Sequence, residues 1–392
     1  MASGGPDPIA SFTLQRPARR QLDNSLGGKI SSSCLLYQCP PQPANAESDA
    51  DRARGGPLGE LPFRKGVAIL TNRIAKHLRD GHDLIRDRAV GALIGLAVGD
   101  AVGTTLEFHP RDSYEPLTEM IGGGPFCLAP GEGTDDTSMA LALADSLLAD
   151  PNLDPDDLMT RFVAWRDNGK YSCVSECFDI GRTTSDALDW WEQTGDPLAG
   201  STSPKSAGNG SLMRLAPVAL VHWQNRPRLA DVAARQSRTT HAAPEAVSAC
   251  IAFANVLADA IAGMPKDEVL RARRDDYAGE IAAIMVGQWR GQPRSAIKST
   301  GYVADSLEAS LWSVDQTDDF RSAVLLAANL GGDADTTAAI TGQLAGALYG
   351  VSGIPSDWLS KLAWREQIIA FAEGLADLGL KLSRPPEIIN ND

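Results

Sequence analysis

The sequence predicts an all-α fold of ten or more helices packed orthogonally, and three observations carry that reading. Alternation of apolar and polar residues, the mark of a half-buried strand, is scarce along the chain. Ala and Gly are abundant while aromatic residues make up only 6%, a balance suited to closely packed helices. Stretches of helical periodicity follow one another with short Gly, Pro and Asn clusters between them.

The first helix is expected over about 87–102, with Gly91, Gly95, Gly99 and Gly103 at i, i+4 spacing. Four residues is close to one helical turn, so these glycines share one face and let another backbone approach closely, despite their cost in helix propensity. Further helices are expected over 135–149, 155–168, 179–193, 211–222, 228–238, 243–262, 266–289, 303–313, 318–329, 336–349 and 356–379. The longest apolar stretch, Ala89 to Gly99, is too short to span a bilayer and ends in Asp100.

The chemistry concentrates in two short patterns set far apart. One is Gly133-Thr134-Asp135-Asp136-Thr137, and the other is Gly331-Gly332-Asp333-Ala334-Asp335-Thr336-Thr337. Each stands at the start of an Ala-rich apolar run. Together they offer six hard oxygen donors, Thr134, Asp135, Asp136, Asp333, Asp335 and Thr336, with no His or Cys among them. Such a set suits Mg²⁺, Mn²⁺ or Ca²⁺. Either pattern alone reads more simply as a helix N-cap, since Thr and Asp favour that position. Two copies of one form point to metal instead, because four converging carboxylates would repel without a cation.

Other segments add candidates. Glu107 follows the first helix closely enough to face the Thr134 cluster. Asp179 stands in Cys177-Phe178-Asp179-Ile180-Gly181-Arg182-Thr183-Thr184. The loop Gly208-Asn209-Gly210-Ser211 opens a helix, where backbone N–H groups can hold an anion. His241 precedes another helix.

Five of these motifs, in order, resemble the ADP-ribosylglycohydrolases over roughly residues 86–380. They are Gly95-Leu96-Ala97-Val98-Gly99-Asp100-Ala101-Val102-Gly103 through Glu107; Gly133 to Thr137; Phe178-Asp179-Ile180-Gly181 with Thr183-Thr184; Gly208-Asn209-Gly210-Ser211 with Met213-Arg214; and Gly331 to Thr336. The resemblance implies an all-α fold with a cleft holding two Mg²⁺ ions, or Mn²⁺ in their place. Thr134, Asp135, Asp136, Asp333, Asp335 and Thr336 would be the metal ligands. It further implies hydrolysis of the N-glycosidic bond between ADP-ribose and an arginine side chain. Gly208, Asn209, Gly210 and Ser211 would receive the diphosphate, and His241 the adenosine or ribose end. Asp179 is the first candidate for proton transfer and Glu107 the second. Neighbouring cations would lower either carboxylate's pKa and favour a base over an acid.

The chain has 392 residues, enough for one large domain and a tail. The expected division is a flexible N-terminal extension over 1–85 with a short helical end, the main domain over 86–383, and a tail over 384–392. A net charge of −14 argues against a nucleic-acid partner. Residues 1–85 carry 11 Lys and Arg against 8 Asp and Glu, so the arm is +3 and the body −17. Six cysteines in no zinc spacing, and no apolar signal core, predict a reduced cytoplasmic protein without a membrane anchor. The substrate expected is an ADP-ribosylated protein. The alternatives are serine-linked or small O-linked ADP-ribose compounds, or a chiefly inhibitory role. In the last, the basic arm blocks an ADP-ribosyltransferase toxin; a plain tail is the competing reading of the arm.

Overall fold

The computed structural model describes residues 81–382. The extension as far as residue 80, the C-terminal tail, Cys34 and Cys39 lie outside the described residues. Among those described there are fourteen α-helices and no strands, only isolated bridges such as Gly123 with Leu128.

The fold is organised around two helices, α1 (Gly81–Gly103) and α12 (Ala334–Tyr349). They lie antiparallel, and the glycine stripe decides how closely. A Cβ on Gly91 would fall 2.3 Å from the Gly346 carbonyl oxygen; on Gly95, 2.2 Å from that of Gly342; on Gly99, 2.2 Å from that of Ala338; on Gly103, 2.4 Å from that of Ala334. The relation is reciprocal, since Gly342 and Gly346 sit 2.0 Å from the Gly95 and Gly91 carbonyls by the same measure. No side chain fits between the two backbones for four turns. Because α1 runs one way and α12 the other, the C-terminal end of α1 meets the N-terminal end of α12.

The remaining elements wrap this pair. They are α2 (Asp135–Ala149), α3 (Pro155–Asn168), α4 (Arg182–Thr194), α5 (Ala216–His222), α6 (Arg226–Thr240), α7 (Pro244–Ile261), α8 (Lys266–Val269), α9 (Glu280–Met285), α10 (Val303–Asp315), α11 (Phe320–Ala328), α13 (Ser356–Lys361) and α14 (Arg365–Leu382). Helix α14 packs on α1, α2 and α5; α10 and α11 pack on α12; α6 packs on α7. Helices α1 and α7 are long and apolar enough to cross a membrane, so the apolar helix is longer than the stretch read from sequence. Their most apolar windows are 94% and 72% buried inside the fold, which explains that apolarity as core.

Several expected elements differ, each for a tertiary reason. The single helix over 266–289 is instead α8 and α9 with irregular chain between. There Arg271 and Arg273 turn inward to Asp259, at 2.9 and 2.7 Å, joined by Arg226 at 2.5 Å. Gly279 at φ 54° then opens α9. The helix over 356–379 is broken between α13 and α14, where Ala363 N–H donates to the Gly131 carbonyl and Trp364 adopts φ 51°. The helix expected from 211 begins at Ala216, because residues 208–215 form the loop described below.

The α1–α12 contact yields a prediction. Gly342→Ala gains about 1 kcal/mol of helix propensity, but overpacking a close contact costs about 1–3 kcal/mol. Here the obstacle is a backbone carbonyl, which cannot rotate away. The variant should melt below the wild type in thermal unfolding. An equal or higher midpoint would show that the two helices have room to part.

Candidate active site

Both acidic motifs stand at helix N-termini, and although Asp335 Oδ1 accepts from the first-turn N–H of Thr336 at 2.6 Å, most of the capping comes from elsewhere. Thr134 precedes α2 and Asp333 precedes α12, and neither side chain makes a capping hydrogen bond. The caps come from the end of α1. Asp100, wholly buried, accepts from the backbone N–H groups of Thr134 (2.9 Å) and Thr137 (3.1 Å) and from the hydroxyls of Thr134 (3.0 Å) and Thr137 (2.5 Å). Glu107 Oε2 accepts from Ala334 N–H at 2.7 Å and Asp335 N–H at 3.2 Å. With the first N–H groups answered from another helix, the motif side chains are free to turn toward each other. Asp100 was not singled out from sequence as a site residue. Its signal was a carboxylate inside an otherwise apolar helix, which needs partners wherever it is buried.

Carboxylate oxygens of Glu107, Asp333 and Asp335 lie within 4.8 Å of one another. Asp136 joins the two motifs: its Oδ2 accepts from the Thr134 hydroxyl at 3.4 Å and the Thr336 hydroxyl at 3.3 Å. Asp135 is 7% exposed and opens onto the cleft with Asp179, Asp333 and Asp335. The structure therefore brings all six expected oxygen donors, with Glu107 and Asp179, into one place.

Burial raises every carboxylate of the set, and repulsion from acidic neighbours adds to it for Asp135, Asp136, Asp179, Asp335 and Glu107, while hydrogen bonds, Asn209's first, hold Asp333 down. Asp179 is pushed up to about 9 by burial, then by Asp335 and Asp333. Asp335 is pushed up to about 7, chiefly by burial. Asp135, Asp136 and Glu107 are raised by burial first and by their acidic neighbours second. Two carboxylates 4 Å apart repel by about 4 kcal/mol at an effective dielectric of 20. A helix N-terminus offers only about 0.3–1 kcal/mol against that. The α2 and α12 dipoles cannot hold this cluster ionised, and a divalent cation can. Asp136 Oδ1 and Asp335 Oδ2 are buried without a hydrogen-bond partner among the described residues, as oxygens reserved for a ligand would be. The donor set fits a hard metal ion.

The site opens into a cleft of about 540 Å³. Gly208, Asn209 and Gly210 of the Gly208–Ser211 loop line it beside the carboxylates. Asn209 anchors that loop, donating to Asp333 Oδ2 at 2.7 Å and to the Ser306 hydroxyl at 2.9 Å. The N–H groups of Gly210 and Ser211, both in buried residues, have no acceptor among the described residues. His241 supports the loop from beneath: a Cβ on Gly210 would fall 2.7 Å from its ring, and one on Gly208 3.2 Å away. The ring is neutral, its pKa lowered to about 3 by burial and then by Arg214. Its Nδ1 pairs with the Thr240 hydroxyl at 2.8 Å. Ser211 departs from expectation in one respect. Its hydroxyl points away from the cleft, to Ser237 (2.8 Å) and Cys250 (3.4 Å), so only its backbone can serve a ligand.

The ADP-ribosylglycohydrolase family model matches residues 81–384. The chain belongs to the ADP-ribosylglycohydrolase family. Similar proteins include an ADP-ribosylarginine hydrolase, Tri1, of Pseudomonas putida, 47% identical over 74% of this chain and 78% of that protein. The Tri1 of Serratia proteamaculans is 45% identical over 74% and 79%. The ADP-ribosyl-[dinitrogen reductase] glycohydrolase of Rhodospirillum rubrum is 37% identical over 71% and 91%. A solved structure titled as an ADP-ribosylglycohydrolase-related protein complex matches with TM-score 0.67 and 41% identity, over 75% of this chain and 99% of that one. The fold is thus shared with a solved structure alike in sequence along nearly its whole length.

The raised carboxylates predict how stability responds to pH when metal is removed. An Asp whose pKa is higher folded than unfolded holds its proton more tightly in the native state, so stability falls as pH rises between the two values. The ordinary Asp value is 3.8, and Asp335 and Asp179 reach about 7 and about 9 folded. Chelated protein should therefore lose thermal stability as pH rises from about 4 to about 9. Adding Mg²⁺ should restore it most at the alkaline end. A chelated midpoint that rises across this window would contradict the repulsion argued above.

Proposed function

We propose that this chain is an ADP-ribosylarginine hydrolase that removes ADP-ribose from arginine side chains of modified proteins, using two Mg²⁺ ions, with Mn²⁺ as the alternative. The observation that carries the reading is the convergence of both acidic motifs on a cleft lined also by the Gly208–Gly210 loop, where the N–H groups of Gly210 and Ser211 have no acceptor among the described residues. A ribose and an anionic diphosphate need those two kinds of surface side by side. The arginine linkage is supported by the two relatives named ADP-ribosylarginine hydrolase, at 47% and 45% identity.

In this reading Thr134, Asp135, Asp136, Asp333, Asp335 and Thr336 hold the cations. Bound there, divalent cations supply positive charge for the ribose hydroxyls and return the surrounding carboxylates to their ionised forms. The N–H groups of Gly210 and Ser211 receive the diphosphate. His241, neutral and buried, keeps the loop in place. Glu107 is committed to the N-terminus of α12, through its bonds to Ala334 and Asp335. Asp179 caps no helix and opens on the cleft from the segment before α4, at φ 57°. In this reading Asp179 takes a proton from the attacking water as the C–N bond breaks and gives it to the departing guanidine.

Two substitutions test this. Asp335→Asn should abolish hydrolysis of ADP-ribosylarginine. In chelator at pH 8 the same variant should melt above the wild type, since a repelling charge is gone. Asp179→Asn should lower kcat by about 10²–10⁴, while calorimetric ADP-ribose binding stays near wild type. A wild type fully active after exhaustive chelation would remove the metal assignment. Near-normal kcat in Asp179→Asn would move proton transfer elsewhere. Turnover of serine-linked substrate in preference to arginine-linked substrate would change the linkage.

The partner reading belongs to the same proposal. The arm combines apolar anchors, Phe12, Leu14, Leu35, Leu36 and Tyr37, with Arg16, Arg19, Arg20 and Lys29. An ADP-ribosyltransferase toxin must admit an arginine to its own active site, so an Arg-bearing segment suits a pseudo-substrate plug that orders on binding. Deleting residues 1–60 should leave turnover of small ADP-ribosylarginine unchanged and sharply weaken capture of a cognate transferase. Loss of turnover would assign the arm to the enzyme's own cleft, and unchanged capture would leave it a plain tail.

A further inference from the structure

We propose that Phe108 determines specificity by stacking on the guanidinium of the modified arginine at the carboxylate end of the cleft. This rests on the arginine-hydrolase reading above and supplies what that reading leaves open, the recognition of the cationic leaving group.

Phe108 is 64% exposed, the most exposed of the large apolar side chains among the described residues, and it lines the cleft. Its backbone is at φ 61°, a conformation that bulky side chains rarely adopt. The site itself holds it there. Phe108 N–H donates to the Gly332 carbonyl at 2.7 Å, and the preceding Glu107 is fixed by its two bonds to α12. Strain of this kind persists where the surroundings impose it, and its result here is a phenyl ring held out over the cleft mouth.

The ring does not stand alone. Phe108 meets Phe126 edge to face at 6.2 Å, and Phe126 meets Phe178 at 5.1 Å. Phe108 lines the cleft together with Glu107 and Asp179, so an aromatic face and carboxylates bound the same space. That combination selects a flat cation. A guanidinium is planar, weakly hydrated and always charged, and it stacks on aromatic faces. The diphosphate has its own donors in the N–H groups of Gly210 and Ser211, which leaves the ring free for the leaving group. Apolar packing alone does not explain Phe108, because most of its surface is left in water.

The test uses the full chain with Mg²⁺, small ADP-ribosylarginine as substrate, and free ADP-ribose as a ligand lacking the guanidine. Phe108→Leu keeps apolar bulk and removes the π face; Phe108→Tyr keeps the π face. Phe108→Leu should raise KM for ADP-ribosylarginine about three- to tenfold, with kcat, calorimetric ADP-ribose binding and thermal midpoint near wild type. Phe108→Tyr should resemble the wild type. A wild-type KM in Phe108→Leu overturns the proposal and leaves the arginine reading standing. Weakened binding of free ADP-ribose would show that the ring serves the nucleotide, and a lowered midpoint that it serves the fold; either also overturns it. A wild type that turns over only uncharged linkages defeats the arginine reading itself, and this proposal with it.

Discussion

The backbone-to-backbone contact of α1 with α12 is the constraint on which the rest of the structure depends. Gly91, Gly95, Gly99 and Gly103 meet Gly346, Gly342, Ala338 and Ala334 at a distance that no side chain would allow. Glycine lowers helix propensity by about 1 kcal/mol per residue. Buried apolar packing along the whole helix offsets this, with Leu93, Ile94, Leu96 and Val98 all buried. The return is positional. Antiparallel close contact delivers Asp100 and Glu107, at the end of one helix, to the start of two others.

That delivery separates two tasks that one residue usually combines. A Thr or Asp at a helix start normally satisfies its own backbone. Here Asp100 and Glu107 do so from outside, and the local hydroxyls and carboxylates turn inward. Apart from Asp335, whose Oδ1 also accepts from the Thr336 N–H, the helix starts and the inward-turned oxygen donors use different side chains at the same place. A substitution at Asp100 or Glu107 acts on both at once.

Behind the cleft, Arg214 performs a related service. It is a fully buried guanidinium without an ion-pair partner among the described residues. It donates to the Gln236 side chain at 3.0 Å, to the Gln236 carbonyl at 2.9 Å and to the Thr240 hydroxyl at 2.9 Å. Its guanidinium lies over the Phe162 ring at 4.6 Å. It thereby ties the Gly208–Ser211 loop to the end of α6, and its charge helps keep His241 neutral. A neutral imidazole against the loop provides shape without a fixed charge beside the Gly210 and Ser211 N–H groups.

The helical class, the glycine face of α1 and the six oxygen donors were all legible in the sequence, because each is a local pattern: periodicity, spacing or residue type. The anion loop was legible for the same reason. Capping and ligation use the same residues, and the sequence favoured ligation only because the motif occurs twice. The arrival of α1 beside α12 was not legible there, and it supplies most of the caps from elsewhere. The breaks between α8 and α9 and between α13 and α14 were likewise invisible. They follow from Asp259 drawing in Arg226, Arg271 and Arg273, and from Gly131 meeting Ala363. Asp100, the inward turn of the Ser211 hydroxyl and the exposed ring of Phe108 also belong to tertiary structure. Local sequence determined which groups are present, and long-range packing decided where each one points.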